Sequence, residues 1–438
     1  MVVPTVRWAR QIGGSDTEKI NSVVVNQLTD DVYVGGEWHG AMEERWSDMI
    51  GGACTGSAPD HAFIGKIKAN GEYGWGDCFG GNATILAMAI APNGDVVVVG
   101  QYKNKIDGWP GAQTSVDVGL DGFVARYTED ADGKGVRVFA RRLGWSGADA
   151  ATAVVVTDDN IFVAGTFEGT PTSIPLNSTV GADVFLAKLD ADGLLVDQRA
   201  FGEDATEPDA HLGFHDGVLY LAGAFEGTMV FGGTAGAIGA DGRDAFLAKI
   251  SAADLEPIIA DKYGGAGVDV ANAVSAGSKY VSLAGEFASE VKLGGAVLET
   301  STPPDGFSGL FHVADDSFFR QTQTGGENVQ VTRATVAHDA FTVTAGSFES
   351  TVKFADGQAR SAGVVDGFVE LFVDGENVWS FPLGGTKGAD VATAVDHASG
   401  VTVVGGTFKG TFKVGGETLE YVSADSTADA FVIALNDD

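Results

Sequence analysis

The sequence predicts an all-β protein, a seven-bladed β-propeller made of four-stranded antiparallel blades. Three observations lead to this prediction: a long internal repeat, strand-like phrases within each repeat, and complementary phrases at the two ends of the chain. Each repeat is marked by an aspartate shortly before a phenylalanine. These aspartates are Asp60, Asp121, Asp183, Asp244, Asp305, Asp366 and Asp429. Their spacings of 61, 62, 61, 61, 61 and 63 residues indicate one supersecondary unit copied seven times.

Each repeat contains four phrases in a fixed order, and each phrase has the alternation or β-branched content of a short strand. The first resembles 388–395, and the second is an apolar run that ends in glycine and then an aromatic residue, as in 161–167. The third begins at the repeated aspartate, and the fourth carries an aromatic residue before Gly-Gly, as in 379–385. Because Gly, Asn and Asp separate the phrases, we expect antiparallel meanders and essentially no helix.

The two ends of the chain carry the halves of one repeat. Residues 6–14 read as a fourth-strand phrase, whereas 429–435 read as a third-strand phrase. We therefore expect residues 6–12 to pair into the C-terminal blade, residues 386–435. This pairing would close the ring, remove two exposed strand edges and make residues 1–438 a single domain.

These phrases resemble the bacterial seven-bladed β-propeller repeats known as SBBP repeats, with their Asp-Ala-Phe-Val-Ala-Lys-Leu-Asp, Val-Tyr-Val-Ala-Gly-x-Phe and Trp-x-x-x-Phe-Gly-Gly signatures. The resemblance covers nearly the whole chain and is clearest over residues 145–250 and 384–435. It implies a propeller at the cell surface or outside the cell. It implies no catalytic residues, since the family has no common set.

Composition excludes several classes of function. The chain holds 60 acidic and 27 basic side chains, a net charge of -33, which disfavours nucleic acid and anionic membrane surfaces as partners. The apolar runs are too short to cross a membrane. The first residues lack the features of a signal peptide, so an exported protein would have lost its leader from this chain. The two cysteines, Cys54 and Cys78, are predicted at one end of a hairpin, where they either form a disulfide or are two buried thiols.

Two unusual connections mark a candidate binding surface. In repeats 1 and 2 the segments between the second and third strands are rich in tryptophan, and the predicted ligand-binding residues lie there or on the same face. These residues are Trp38, His39, Trp46, Trp109 and Trp145. Exposed tryptophans can stack on sugar rings or anchor a peptide. The alternative is that the longer loops need a small core of their own.

A second candidate region is the axis of the ring. One position of the first strand is repeatedly polar and is predicted to line a central channel. The residues are Asn21, Thr152, Asn272, Arg333 and Thr393. Arg333 would be a single cation among acids, either an anchor for an anion or part of an ion pair with a neighbouring blade.

Metal and catalytic sites are not predicted. The repeated aspartates lie on different blades and cannot converge on one ion, and caps of local turns explain them better. Residues 130–133 and 190–193 resemble calcium loops only weakly, because the distal glutamate of such a loop is missing. Hairpin turns explain them, which leaves calcium as a weak alternative to no cofactor.

The sequence thus favours a non-enzymatic extracellular binding module that recognises a protein or a glycan through the loop face of blades 1–3. Two other classes stay open. One is a polysaccharide hydrolase or lyase with acidic residues at the channel mouth, and the other is a structural subunit of an extracellular assembly. The oligomeric state is not predicted.

Overall fold

The fold is all-β. The computed structural model describes residues 3–14, 16–40, 60–103, 105–106, 109, 119–169, 181–203, 208–300, 303–354, 357–385, 388–414, 417–422 and 428–437. Every regular element in these ranges is a β-strand. Within them no helix is long and apolar enough to cross a membrane.

The strands occur in the order that the four phrases predict. They are β1 Thr5–Ile12, β2 Glu18–Val25, β3 Val32–His39, β4 Asp60–Ile67, β5 Tyr73–Phe79, β6 Thr84–Ile90, β7 Val96–Lys103, β8 Leu120–Glu129, β9 Gly135–Leu143, β10 Ala150–Val156, β11 Asn160–Glu168, β12 Ala182–Asp190, β13 Leu195–Glu203, β14 His211–His215, β15 Val218–Gly232, β16 Gly236–Ser251, β17 Pro257–Tyr263, β18 Asp269–Ala276, β19 Tyr280–Phe287, β20 Glu290–Leu293, β21 Ala296–Glu299, β22 Asp305–His312, β23 Phe318–Glu327, β24 Gln330–His338, β25 Phe341–Phe354, β26 Gly357–Val373, β27 Glu376–Gly385, β28 Val391–Ala398, β29 Val401–Phe408, β30 Thr411–Val414, β31 Glu417–Val422 and β32 Asp429–Asn436.

Antiparallel pairing joins these strands into four-stranded units, the blades of a β-propeller. Repeats 1 to 3 form the units β2–β5, β6–β9 and β10–β13. Repeats 4 and 6 form β14–β17 and β24–β27, and repeat 5 uses β18, β19, β22 and β23. In repeats 4 to 7 the connection from the second to the third strand carries an additional hairpin, made by the extended ends of β15 with β16 and of β25 with β26, and by β20–β21 and β30–β31.

The first and last strands of the chain pair with each other. β1 is antiparallel to β32, with Thr5 opposite Asn436 and Ile12 opposite Ala430. The resulting unit has the order β1-β32-β29-β28. Apolar side chains of adjoining units, among them Ile20 on β2 and Val403 on β29, share one buried cluster. The terminal strands are thereby held by both backbone hydrogen bonds and core packing.

The glycine of the second strand and the phenylalanine of the third strand form one structural pair in every repeat. The pairs are Gly36 with Phe63, Gly100 with Phe123, Gly165 with Phe185, Gly223 with Phe246, Gly285 with Phe307, Gly346 with Phe368 and Gly406 with Phe431. A Cβ atom at position 165 would lie 2.8 Å from the Phe185 ring and 1.9 Å from the Ala150 carbonyl oxygen. The glycine is therefore required because a ring and a neighbouring strand both approach its backbone.

Repeat 1 departs from the aspartate pattern. Because Phe63 lies opposite Gly36, the residue that corresponds to Asp183 or Asp244 is His61, and Asp60 precedes it by one position. His61 is buried. The alignment of repeat 1 on Asp60 was therefore wrong by one residue.

Candidate functional site

The first strands of the repeats surround an axial cavity of about 420 Å³. Its lining comes from β2, β6, β10, β14, β18, β24 and β28, one strand from each repeat. The five residues predicted to line a channel all contribute to it. Among the described residues, this is the one place where a predicted set of site residues comes together.

A β-bulge places these side chains at the axis. Where the first strand pairs with the second, the register skips one residue in six of the seven described units. The skipped residues are Asn21, Leu86, Thr152, Asn272, Arg333 and Thr393. A bulged residue leaves the pairing ladder and bends its strand, which turns its side chain towards the neighbouring unit.

Four of the bulged side chains hydrogen-bond to the next repeat, at its first strand or at the residue just before that strand. The Asn21 amide donates to the Ile85 carbonyl at 2.9 Å, and the Asn272 amide donates to the Thr332 carbonyl at 3.0 Å. The hydroxyl of Thr152 makes the same bond to Ala210 at 2.6 Å. Thr393 repeats it to Ile20, also at 2.6 Å. These donors are engaged in holding adjacent units together, so their role at the axis is structural.

Arg333 differs from the other bulged residues. Its side chain is exposed in the cavity and makes no hydrogen bond and no ion pair within 4 Å among the described residues. Desolvation lowers the pKa of its guanidinium, and the charge of Glu286 on the second strand of repeat 5 acts in the opposite direction. Burial raises the pKa of Glu286, and the charges of Arg333 and Arg243 oppose that shift. The ion pair expected with a neighbouring blade is thus reduced to an interaction at longer range.

Other ionisable groups near the axis have partners of their own or pKa values shifted by burial. Arg243 forms an ion pair with Asp209, with 2.6 Å between Nη2 and Oδ2. Burial lowers the pKa of the His211 imidazole. The Asp396 carboxylate accepts the Val25 amide at 2.7 Å, and burial raises its pKa to about 6. Among the described residues that line the cavity, Arg333 is the one arginine or lysine.

The tryptophans of the loops pack inwards in the part of the chain that the structure describes. Trp38 is 1% exposed and stacks on His61 with ring centroids 4.9 Å apart. Trp109 is 5% exposed and packs against Phe79 and Phe123 at 5.1 and 5.3 Å. Both indoles belong to the core clusters between adjoining units, Trp38 with Ile20 and Trp109 with Phe123. They do not offer a stacking surface, which corrects the expectation of a tryptophan platform at these two positions.

The remaining residues of that predicted surface are dispersed. Trp145 is half-buried between Phe167 and Phe185. His39 is partly exposed, and its Nδ1 lies 2.6 Å from the Asp60 carboxylate. Trp46 lies outside the described residues.

The predicted disulfide rests on one described residue. Cys78, on β5, is not a free thiol and lies at the edge of the core. Cys54 lies outside the described residues, so the pairing of the two stays a prediction.

The repeated aspartates other than Asp60 are buried structural groups. The Lys262 ammonium donates to Asp244 at 2.8 Å, and the Gln323 amide donates to Asp305 at 2.7 Å, each from the fourth strand of the same repeat. Among the described residues no three His, Cys, Asp or Glu side chains come close enough together to hold a metal ion. In the turn after β12, Asp190 accepts the amides of Asp192 and Leu194 at 3.0 and 2.8 Å, as expected for a hairpin turn.

Comparisons with known proteins give similarity at the level of solved structures alone. No protein-family model and no curated protein matches the chain. The WD40 β-propeller domain of Doa1 is 10% identical, with 100% of this chain and 98% of that one covered and a TM-score of 0.48. The WD40 domain of Neurospora crassa Pan2 is 10% identical, with 81% and 89% covered and a TM-score of 0.42. The endosialidase of phage phi92 is 9% identical, with 98% and 69% covered and a TM-score of 0.42.

Proposed function

We propose that this chain is a closed seven-bladed propeller of the SBBP type, displayed at the cell surface or exported, which acts as a non-enzymatic binding module. The seven repeats, the four-stranded units and the pairing of β1 with β32 support the closed ring. The family resemblance supports the location.

The binding surface is the face that carries the connections between second and third strands. Each first strand begins at this face, because its first residues pair with the last residues of the second strand, as Asp269 does with Phe287. Arg333 is the fourth residue of β24 and therefore lies towards the same end of the axial cavity.

One observation carries the choice of ligand. Arg333 presents an exposed guanidinium in a cavity whose other described polar side chains are mostly engaged in bonds between units. A guanidinium binds carboxylate or sulfate groups through paired N–H donors. The module would therefore hold an acidic group of a protein or glycan at the axial mouth. The net charge of -33 opposes such ligands at long range, but physiological salt limits that field to about 8 Å.

Calorimetric titration with oligogalacturonate and with a short polyaspartate peptide tests this proposal. Replacing Arg333→Gln is expected to weaken binding of the acidic probe about 10- to 100-fold, since a hydrogen-bonded charge contributes about 1.5–3 kcal/mol. Arg320→Gln is the matched control, because Arg320 pairs with Glu376 outside the cavity. Equal binding by the two variants would contradict the role of Arg333. Release of reducing ends from the oligosaccharide would instead favour the hydrolase or lyase class.

A further inference from the structure

A tryptophan on the fourth strand fills the space between neighbouring units in three places. In each case it follows a one-residue irregularity in the pairing with the third strand: Trp8 lies opposite Ala434, Trp379 lies opposite Leu371, and Trp75 follows the skipped residue of β5. All three are buried. This position of the fourth strand therefore holds a buried indole in three repeats.

Trp75 shows what surrounds such an indole. Its ring lies 5.7 Å from Tyr33 on the second strand of its own repeat and 6.1 Å from Tyr127 on the third strand of the next. A Cβ atom at Gly135 would come within 2.1 Å of the same ring. The indole is thus enclosed by two tyrosines and by the backbone of the neighbouring unit.

Repeat 4 has Ile259 at the corresponding position. Ile259 lies opposite Lys249 and follows the same irregularity, but its side chain is 44% exposed. The counterparts of Tyr33 and Tyr127 are Tyr220 and Phe311. Both line a cavity of about 380 Å³ together with Ile259. The missing indole has left an open pocket between the units of repeats 4 and 5.

The pocket has an aromatic lining with unused polar groups. The Tyr263 ring lies 5.8 Å from Phe311, which lies 5.4 Å from Phe318. Both tyrosines, Tyr220 and Tyr263, are at most 9% exposed, yet neither hydroxyl has a hydrogen-bond partner among the described residues. An aromatic cavity of this size with a few polar groups is typical of small-molecule sites.

The charges at the rim favour a cationic substituent. Lys249 is paired with Asp316, and Lys262 is paired with Asp244 at 2.8 Å. Asp261 also lines the pocket, is exposed and forms no ion pair or hydrogen bond with the described residues. The rim therefore carries one carboxylate that is not neutralised.

We propose that this pocket binds a small planar aromatic molecule of about the size of an indole, and that it prefers one that carries an amine. The ring would occupy the place that Trp75 takes in repeat 1, with Tyr220 and Phe311 on its two sides. The amine would lie at Asp261. This site is distinct from the axial mouth, because none of its lining residues belongs to the axial cavity.

Three probes that differ in charge test the proposal by isothermal titration calorimetry: tryptamine, indole and indole-3-acetate. We expect tryptamine to bind most tightly and indole-3-acetate most weakly. Replacing Asp261→Asn is expected to reduce the advantage of tryptamine over indole to less than about twofold, since it removes the rim charge. Absence of binding by all three probes at millimolar concentration would overturn the proposal.

The replacement Ile259→Trp introduces the indole that three other repeats carry at this position and should abolish binding of all three probes. It should also leave the protein folded and raise the midpoint of thermal unfolding, because it fills a cavity. Unchanged binding by this folded variant would show that the ligand lies elsewhere. Should Ile259→Trp fail to fold, Tyr263→Leu provides the second test and should weaken tryptamine at least fivefold. Arg333→Gln must retain tryptamine binding, which separates this pocket from the proposed axial function.

Discussion

The hydroxyl of Thr393 on β28 donates a hydrogen bond to the backbone carbonyl of Ile20 on β2, at 2.6 Å. This bond joins the first strand of the last repeat to the first strand of the first repeat. The Thr152 hydroxyl makes the equivalent bond to Ala210 at the same distance, between two repeats that are consecutive in the chain.

Replacing Thr393→Val is therefore expected to lower the free energy of unfolding by about 1 kcal/mol, because a carbonyl loses its donor. Thr152→Val is the matched variant and should have an equal effect. Urea-induced unfolding followed by circular dichroism measures both. A loss for Thr152→Val with none for Thr393→Val would show that the ends of the chain do not meet in solution.

The pairing of Gly165 with Phe185 gives a second prediction. Any side chain at position 165 meets the Ala150 carbonyl oxygen at 1.9 Å, a contact that a strand cannot relieve without moving its neighbour. Gly165→Ala should destabilise the protein by about 2 kcal/mol or more, in the range of overpacked cores. Gly239→Ala, where no atom lies within 4 Å of the new methyl group, should change the free energy of unfolding by less than about 0.5 kcal/mol. Equal values for the two variants would contradict this account.

The sequence predicted the propeller architecture well because a strand pattern that is weak in one repeat becomes clear when it recurs along the chain. Strands, their order and the polar position at the axis all follow from phrases that occur several times. Residue 61 was misassigned because repeat 1 alone has a histidine there, and alignment on the nearest aspartate hid the shift. Pairing with Gly36 resolves it.

The candidate sites were harder to predict, because each depends on which side chains fill the space between adjoining units. Sequence alone could not show that Trp38 and Trp109 turn inwards, since loop length and burial are set by tertiary contacts. The pocket beside Ile259 did have a sequence signal. Trp8, Trp75 and Trp379 lie six positions before the second glycine of the fourth phrase, whereas repeat 4 has Ile259 at that position.

The stacking of Trp38 on His61 leads to a prediction about stability. Trp38→Ala removes a large, fully buried side chain and should lower the free energy of unfolding by about 3–5 kcal/mol. Trp38→Phe keeps most of the apolar area and should cost less than half as much. Denaturant unfolding compares the two variants. A Trp38→Ala protein with native stability but reduced ligand binding would support the prediction that Trp38 contacts the ligand.

Asp390, at the start of the last repeat, links stability to pH. It is buried, and its carboxylate accepts the amides of Gly385 and Lys409 at 2.7 and 3.1 Å. Burial raises its pKa from 3.8 to about 7, and the charge of Asp366 adds to that shift. The folded protein thus holds this proton at a pH where the unfolded chain has lost it. The stabilisation that this bound proton provides is fully present below pH 4 and is lost as the pH rises through 7.

Between pH 5 and pH 8 this single group should lower the free energy of unfolding by about 2–3 kcal/mol. The side chain of the Asp390→Asn variant cannot ionise. Its free energy of unfolding should therefore decrease by about 2–3 kcal/mol less than that of the wild type between pH 5 and pH 8. Asp192→Asn, an exposed change of the same charge in a hairpin turn, should keep the wild-type dependence. Unfolding in urea at the two pH values measures all three proteins. An identical pH dependence for wild type and Asp390→Asn would show that this carboxyl group is already ionised in the folded state at pH 5.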